Sequence, residues 1–312
     1  VSTFSWMSAP DISSDVAFRK WAQGVHDAFV GCGWVQTSDT GQANLATMTV
    51  PGTTVTAGGY EIFRMNDALQ SACPVFVKVE YGRGSSATNN VPVIWVTVGQ
   101  GSNGSGTITG VLLARTPNAA TATAYGSSSE FPSYGSCDGA GICLALWSGY
   151  TNTGTAFLAI ERSRDNAGAP TDGALLIAFG ATTGGIVRVI GNGGTPGAVK
   201  CADSAYLSAA LPYTINGSSA SDASTLSQDG VVAPVLPIAC VAPGVEPWVS
   251  NVLVAVHPGD AGSTSVIQAA TINGETRTYR AWTFFNNNGG LVVCGNKSSS
   301  PAACWPAIIW ES

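Results

Sequence analysis

The sequence predicts a mainly β protein: an antiparallel β-sandwich or jelly roll carrying one amphipathic helix near its N-terminus. Three observations lead there. Charged residues make up only 10% of the 312 positions, against about 25% in a typical soluble domain. Short runs rich in β-branched residues, separated by Gly, Pro, Ser and Asn clusters, recur along most of the chain, as strands bounded by turns do. Only one window has the helical period.

That window comes first. Ser13-Ser14-Asp15 is an N-cap signal, and Phe18, Trp21, Ala22, Val25 and Phe29 recur at helical spacing, with Arg19, Lys20, Gln23 and Asp27 on the other side. A helix is expected from Asp15 to about Phe29, stopped by Gly31 and Gly33. Its aromatic stripe reads as core, because such faces are ordinarily buried. His26, beside the stripe, reads as structural.

Residues 33–57 are polar, with a strand expected at Leu45–Val50 and a turn at Pro51-Gly52. The clearest strands follow. In Pro74–Gly82, Val75, Val77, Val79 and Tyr81 alternate with Phe76, Lys78 and Glu80, the period-two pattern of a half-buried strand. Pro92–Gly99 is apolar on both faces, and the polar stretch Arg83–Val91 connects the two.

Gly99-Gln100-Gly101-Ser102-Asn103-Gly104 matches G-x-G-x-x-G after a strand. A dinucleotide fingerprint must open a helix, whose amides hold the pyrophosphate, and needs an acid about 20 residues on. Here Ser105–Gly110 is β-branched and glycine-broken, and the next acid is Glu130. The stretch is expected to be a flexible loop at a sheet end that binds no nucleotide.

Gly59–Met65, Pro74–Gly82 and Val96–Gly110, with Gly33-Trp34-Val35-Gln36-Thr37-Ser38-Asp39-Thr40-Gly41-Gln42 upstream, resemble a family of tailed-bacteriophage virion proteins. Glu161–Asp172 and Trp310-Glu311 fit more loosely. The likeness is clear over roughly the first third and thin from Thr195 to Ser250. It implies a virion component, leaves tail or capsid position open, and carries no catalytic residue over.

Further along, Pro117–Gly141 falls to Ala, Thr, Ser and Gly and is the candidate boundary between a helix-plus-sheet domain (1–116) and a C-terminal β-sandwich domain (142–312). Strands are expected at Ile142–Trp147, Thr155–Ile160, Ala174–Ala181, Ile186–Ile190, Asn251–His257, Thr264–Ile272, Thr276–Phe285, Leu291–Cys294 and Ala307–Trp310, with a charged hairpin turn at Arg162–Gly168. Thr195–Pro247 holds Pro196, Pro212, Pro234, Pro237, Pro243 and Pro247 and few alternating runs, so it reads as an extended arm ordered on a neighbouring subunit.

Composition bears on function by exclusion. Net charge is −6 and no Lys/Arg run occurs, so a basic groove for nucleic acid has no footprint. No apolar run reaches the roughly 20 residues of a membrane helix. The N-terminus lacks the pattern of a signal peptide, and Val1 suggests removal of an initiator methionine. The chain is thus expected to be made in the host cytoplasm and to reside in the virion.

The eight cysteines show no C-x₂-C, and the histidines are two, His26 and His257, so no zinc site is expected. Cys137 with Cys143, and Cys294 with Cys304, flank Gly/Ser-rich turns and are candidate disulfides. Small buried hydrophobes are the alternative, and spacing does not decide connectivity. No G-x-S-x-G or H-E-x-x-H occurs, and no D-x-D-x-D-G ladder. Glu161 and Asp165 are a pair of carboxylates of the kind used in glycoside hydrolysis. A solvated hairpin, with exposed ion pairs to Arg162 and Arg164, is the stronger reading.

No catalytic, cofactor or metal residue is therefore assigned. The expected function is structural: a virion protein, with the tail favoured, that assembles with itself and other virion proteins through symmetric low-charge β interfaces. A receptor- or glycan-binding β-sandwich of the adsorption apparatus is the alternative. A capsid decoration protein or a tail-borne polysaccharide-degrading enzyme comes third.

Overall fold

The computed structural model describes residues 2–8, 14–52, 56–83, 92–116, 119–120, 131–137, 140–146, 156–181, 184–191, 235–242, 245–256, 266–272, 275–281 and 305–309. They are mainly β, with antiparallel sheets and, among the described residues, one helix. In chain order the elements are β1 (Ser2–Ser8), α1 (Asp15–Gly31), β2 (Val35–Gln36), β3 (Ala57–Arg64), β4 (Phe76–Arg83), β5 (Pro92–Ser102), β6 (Ile108–Leu113), β7 (Ala119–Ala120), β8 (Phe131–Cys137) and β9 (Gly141–Leu146). There follow β10 (Ala156–Arg164), β11 (Pro170–Ala181), β12 (Gly184–Gly191), β13 (Val235–Ala242), β14 (Val245–Val256), β15 (Val266–Ile272), β16 (Glu275–Ala281) and β17 (Trp305–Ile309). No helix among the described residues is long and apolar enough to cross a membrane.

The chain divides into two compact units: Phe4–Gly135 with Leu144–Ala156, and Val1–Thr3 with Ser136–Cys143 and Phe157–Ser312. In the first, the sheet runs β2-β3-β4-β5-β6, and β7 also pairs with β5. Helix α1 begins where Ser14 accepts a side-chain bond from Ala17 N, the ordinary N-cap arrangement. It ends before Gly33, whose φ of 78° supplies the left-handed turn. The expected stripe is buried: Phe18, Trp21, Ala22, Val25 and Phe29 are each at most 1% exposed.

Period two decides what that stripe meets. Glu61 pairs with Val79 and Val79 with Val96, so Glu61, Phe63, Val77, Val79, Tyr81, Ile94, Val96 and Val98 share one face. The helix packs there. Phe29 stacks on Phe63 at 4.5 Å between ring centroids, and Trp21 meets Tyr81 edge-on at 5.6 Å.

In the second unit, β10, β11 and β12 are consecutive antiparallel neighbours. Another sheet runs β13-β14-β17-β16-β15. Its middle strand, β17, joins two hairpins: Ala307 pairs with Val254 on one side and Ala281 on the other.

Several expectations are corrected. Leu45–Val50 is not a strand: Asn44 O accepts from Thr47 N and Met48 N, and Asn44 Oδ1 accepts from Ala46 N, closing a turn. The candidate boundary Pro117–Gly141 carries two strands that the sequence does not announce, β7 and β8. The arm loses its last part, because Pro237 lies in β13 opposite Val254, and Pro247 lies in β14. Register shifts near Pro237 and Cys240 are where such a ladder accommodates a residue without an N–H donor. Thr195, Pro196, Pro212, Pro234 and Pro243 lie outside the described residues.

Candidate functional site

The first unit gathers its polar side chains around two acids. Glu61, on β3, is an acid on a face otherwise occupied by Phe63 and Met65, and it is 1% exposed. Burying a carboxylate costs several kcal/mol unless donors surround it, and here they come from three elements. His26 Nδ1 on α1 lies 2.8 Å from Oε1, Gln36 Nε2 on β2 donates to Oε1 at 2.9 Å, and the Tyr81 hydroxyl on β4 donates to Oε2 at 2.6 Å.

The hydrogen bond to Glu61 raises the His26 pKa, partial burial opposes that, and the charges of Glu61 and Asp27 add to the rise. Tyr81 is pushed well above 10, first by complete burial and then by the charge and hydrogen bond of Glu61. It is a neutral donor in the fold.

The second acid, Asp39, is 8% exposed and sits in the loop after β2. Its Oδ2 accepts from the Thr37 hydroxyl at 2.6 Å and the Ser102 hydroxyl at 2.7 Å, and its Oδ1 accepts from Gly106 N at 3.2 Å. Burial pushes Asp39 up, but the bonds from Thr37, Ser102, Gly106 and Gly104 outweigh it and hold the carboxyl below its ordinary value.

Gln42 links the acids. Its Nε2 donates to Thr37 O at 2.6 Å, while its Oε1 accepts from Ile62 N at 2.7 Å and from Gln36 Nε2 at 3.3 Å.

This clasp changes the reading of the glycine-rich stretch. Gly99 and Gly101 belong to β5, a hairpin turns at residues 103–107, and β6 follows, so the helix that a pyrophosphate site needs does not follow the motif. The hairpin is pinned rather than loose. Asn103 Oδ1 accepts from Ser105 N and Thr107 N, Thr40 N donates to Gly104 O, and Lys78 Nζ donates to Gly106 O at 2.9 Å while lying 4.2 Å over the Tyr60 ring. Gly106 has φ of 90°, and any Cβ there would run into the Tyr60 hydroxyl.

The other sequence candidates scatter. Cys137 is buried at the end of β8, the Cys143 side chain is not described, and Cys294 and Cys304 lie outside the described residues. The expected solvated ion pairs at the β10–β11 hairpin are corrected: Glu161 is 0%, Arg162 1% and Arg164 7% exposed. Glu161 Oε1 accepts from Arg164 Nε at 3.0 Å, and Glu161 Oε2 accepts from the Ser250 hydroxyl. Asp165 instead closes the turn, its Oδ1 accepting from Ala167 N and Ala169 N. The two carboxylates thus serve separate local structures.

Sequence reasoning passed over Glu61, Asp39, Gln42 and Tyr81. One signal was available, an acid alternating with Phe63 and Met65 on an apolar strand face. Among the described residues no group of three or more His, Cys, Asp or Glu is placed to hold a metal ion. No family model, no curated protein and no solved structure matches the chain.

Proposed function

We propose that the chain is a structural component of a tailed-phage virion, acting by association with itself and other virion proteins through low-charge β surface. The observation that carries this reading is the convergence of the phage-like stretches. Gly33–Gln42, Gly59–Met65 and Val96–Gly110 meet in one network whose two carboxylates are each surrounded by donors from the chain itself. Acids closed off in this way brace a scaffold, whereas a catalytic acid must reach the group whose proton it moves.

A jelly roll or sandwich is the architecture this reading favours, and tail attachment the position. Glycan recognition by stacked aromatics is the weaker reading, because among the tryptophans whose side chains are described, Trp21, Trp34, Trp95 and Trp248 are each at most 4% exposed and offer no ring face. Negative-stain electron microscopy of the purified full chain tests the proposal. Ordered rings, tubes or fibres are expected. A population of single particles that binds or cleaves surface polysaccharide would replace it with the adsorption or enzyme reading.

A further inference from the structure

The pinned hairpin between β5 and β6 carries a bond that can rearrange. Asn103 is followed by Gly104 at its tip, and both are exposed. In an Asn-Gly pair the side-chain amide is open to attack by its own main chain, because glycine puts no Cβ beside the attacking nitrogen. The sequence has four other such pairs, at Asn192, Asn216, Asn273 and Asn288, all outside the described residues. Around Gly104 there is room to react: a Cβ there would meet nothing within 4 Å.

The closed hairpin engages both reacting groups elsewhere. Asn103 Oδ1 accepts from Ser105 N at 2.9 Å and Thr107 N at 3.0 Å, which fixes the side-chain amide. Asn103 N donates to Thr107 O at 3.0 Å, and Gly104 O accepts from Thr40 N at 2.9 Å, so the main chain is held on both sides of the pair. Gly104 N, the attacking nitrogen, donates to the Asp39 carboxylate. Ring closure requires Gly104 N to leave Asp39 and the Asn103 amide to turn towards it. Both movements break bonds of the closed hairpin.

We propose that Asn103-Gly104 is a self-modification site gated by the Asp39 clasp, which reacts when the hairpin opens and whose product keeps it open. Gly104 N forms a bond to Asn103 Cγ, the Cγ–Nδ2 bond breaks, and ammonia leaves with the proton from Gly104 N. Water then opens the cyclic imide at one of its two carbonyls. Attack at Cγ leaves an ordinary aspartate. Attack at the main-chain carbonyl leaves iso-aspartate, in which the chain runs through Cβ and Cγ and is one methylene longer. The carbonyl that Ser105 N and Thr107 N share then belongs to the main chain, and the turn loses its side-chain acceptor. Either product also adds a negative charge next to the bond between Gly104 and Asp39, and like charges repel.

Conversion proceeds at the rate of the unfolded chain multiplied by the fraction of time the hairpin is open. The same fraction governs amide exchange at Ser105 and Thr107. The test follows the full chain in mildly alkaline buffer, where the amide nitrogen loses its proton more readily. Peptide mapping reads conversion at residue 103, as the mass gain of acid over amide and the chromatographic shift of iso-aspartate. Amide exchange at Ser105 and Thr107 is read alongside. Ser102→Ala removes one donor to Asp39, and together with Gly106→Ala and a urea series on wild type it spans a range of opening.

Native wild type should convert at least about ten-fold more slowly than the urea-unfolded chain. Across the whole set, conversion should rise in proportion to exchange. The isolated iso-aspartate fraction should exchange freely at residues 105–107 while α1 and β4 stay protected. Equal rates in native and unfolded chain would overturn the gating, as would conversion that does not follow exchange. An iso-aspartate fraction with its hairpin still protected would show that the product does not hold it open. If the unfolded chain keeps its amide at residue 103, the site does not exist.

Discussion

Glu61 and Glu161 are both strand glutamates with essentially no exposure, and they are held in opposite ways. Glu61 is surrounded by His26, Gln36 and Tyr81, of which only histidine gains or loses charge near neutrality. Glu161 faces Arg164, a permanent cation, and the Ser250 hydroxyl. The first arrangement ties a helix to a sheet with a strength that depends on pH. The second ties a hairpin to a strand distant in sequence with a strength that should not change around neutrality. The difference teaches that the kind of partner, more than the depth of the acid, decides what a buried carboxylate does.

Arg164→Ala should be the most damaging change. It takes the cation from an acid with no exposure, and breaking such a pair costs about 3–5 kcal/mol. Urea unfolding should show that loss with little change between about pH 6 and about pH 9, and a smaller loss in acid, where the carboxylate takes up a proton. A loss under about 1 kcal/mol would mean that other groups hold Glu161 equally well.

The Glu61 network continues through Gln42 to the hairpin, so Gly106→Ala probes its far end. The new methyl meets Tyr60 at a left-handed φ. Strain and the displaced ring should cost about 2–3 kcal/mol. Amide exchange should speed up at residues 103–107, whereas unchanged protection would show that the hairpin is not pinned as described.

Tyr81→Phe removes one of the three donors to Glu61 and leaves the ring packed on Trp21. A loss of about 2 kcal/mol is expected from thermal or urea unfolding. No measurable loss would mean that the phenol does not help to hold the acid.

His26→Gln should cost least, about 1 kcal/mol, because the imidazole is 21% exposed. Its signature is pH dependence. The folded pKa lies above 6.5, so the stabilisation is fully present below about pH 6.5 and fades as pH rises through the folded value. The gap between wild type and His26→Gln should shrink on going from about pH 6 to about pH 9. A gap that widens with pH would reverse the account of this histidine.

Much of this was legible in the sequence. The helix was, because its period and Ser14 cap act locally, and so were β4, whose alternation matches its burial, and β5, apolar on both faces and largely buried through Gly99. Three features escaped for physical reasons. Leu45–Val50 has strand composition, but the Asn44 side chain offers its amides an alternative to a ladder. The charges at Glu161–Arg164 look like a turn, yet β10 runs through them, because the Ser163 hydroxyl accepts from Ala174 N and meets Thr171 Oγ1 where the register shifts. The Asp39 clasp depends on contacts with Ser102 and Gly106, more than sixty residues away, which no local pattern encodes.

Central to the account is the claim that the polar clusters brace a scaffold whose work is association. Sedimentation velocity of the wild-type full chain over a wide concentration range tests it most directly. A sedimentation coefficient that climbs with concentration is expected, as copies associate reversibly. A single species at the mass of one chain, 31.7 kDa, at every concentration would contradict it.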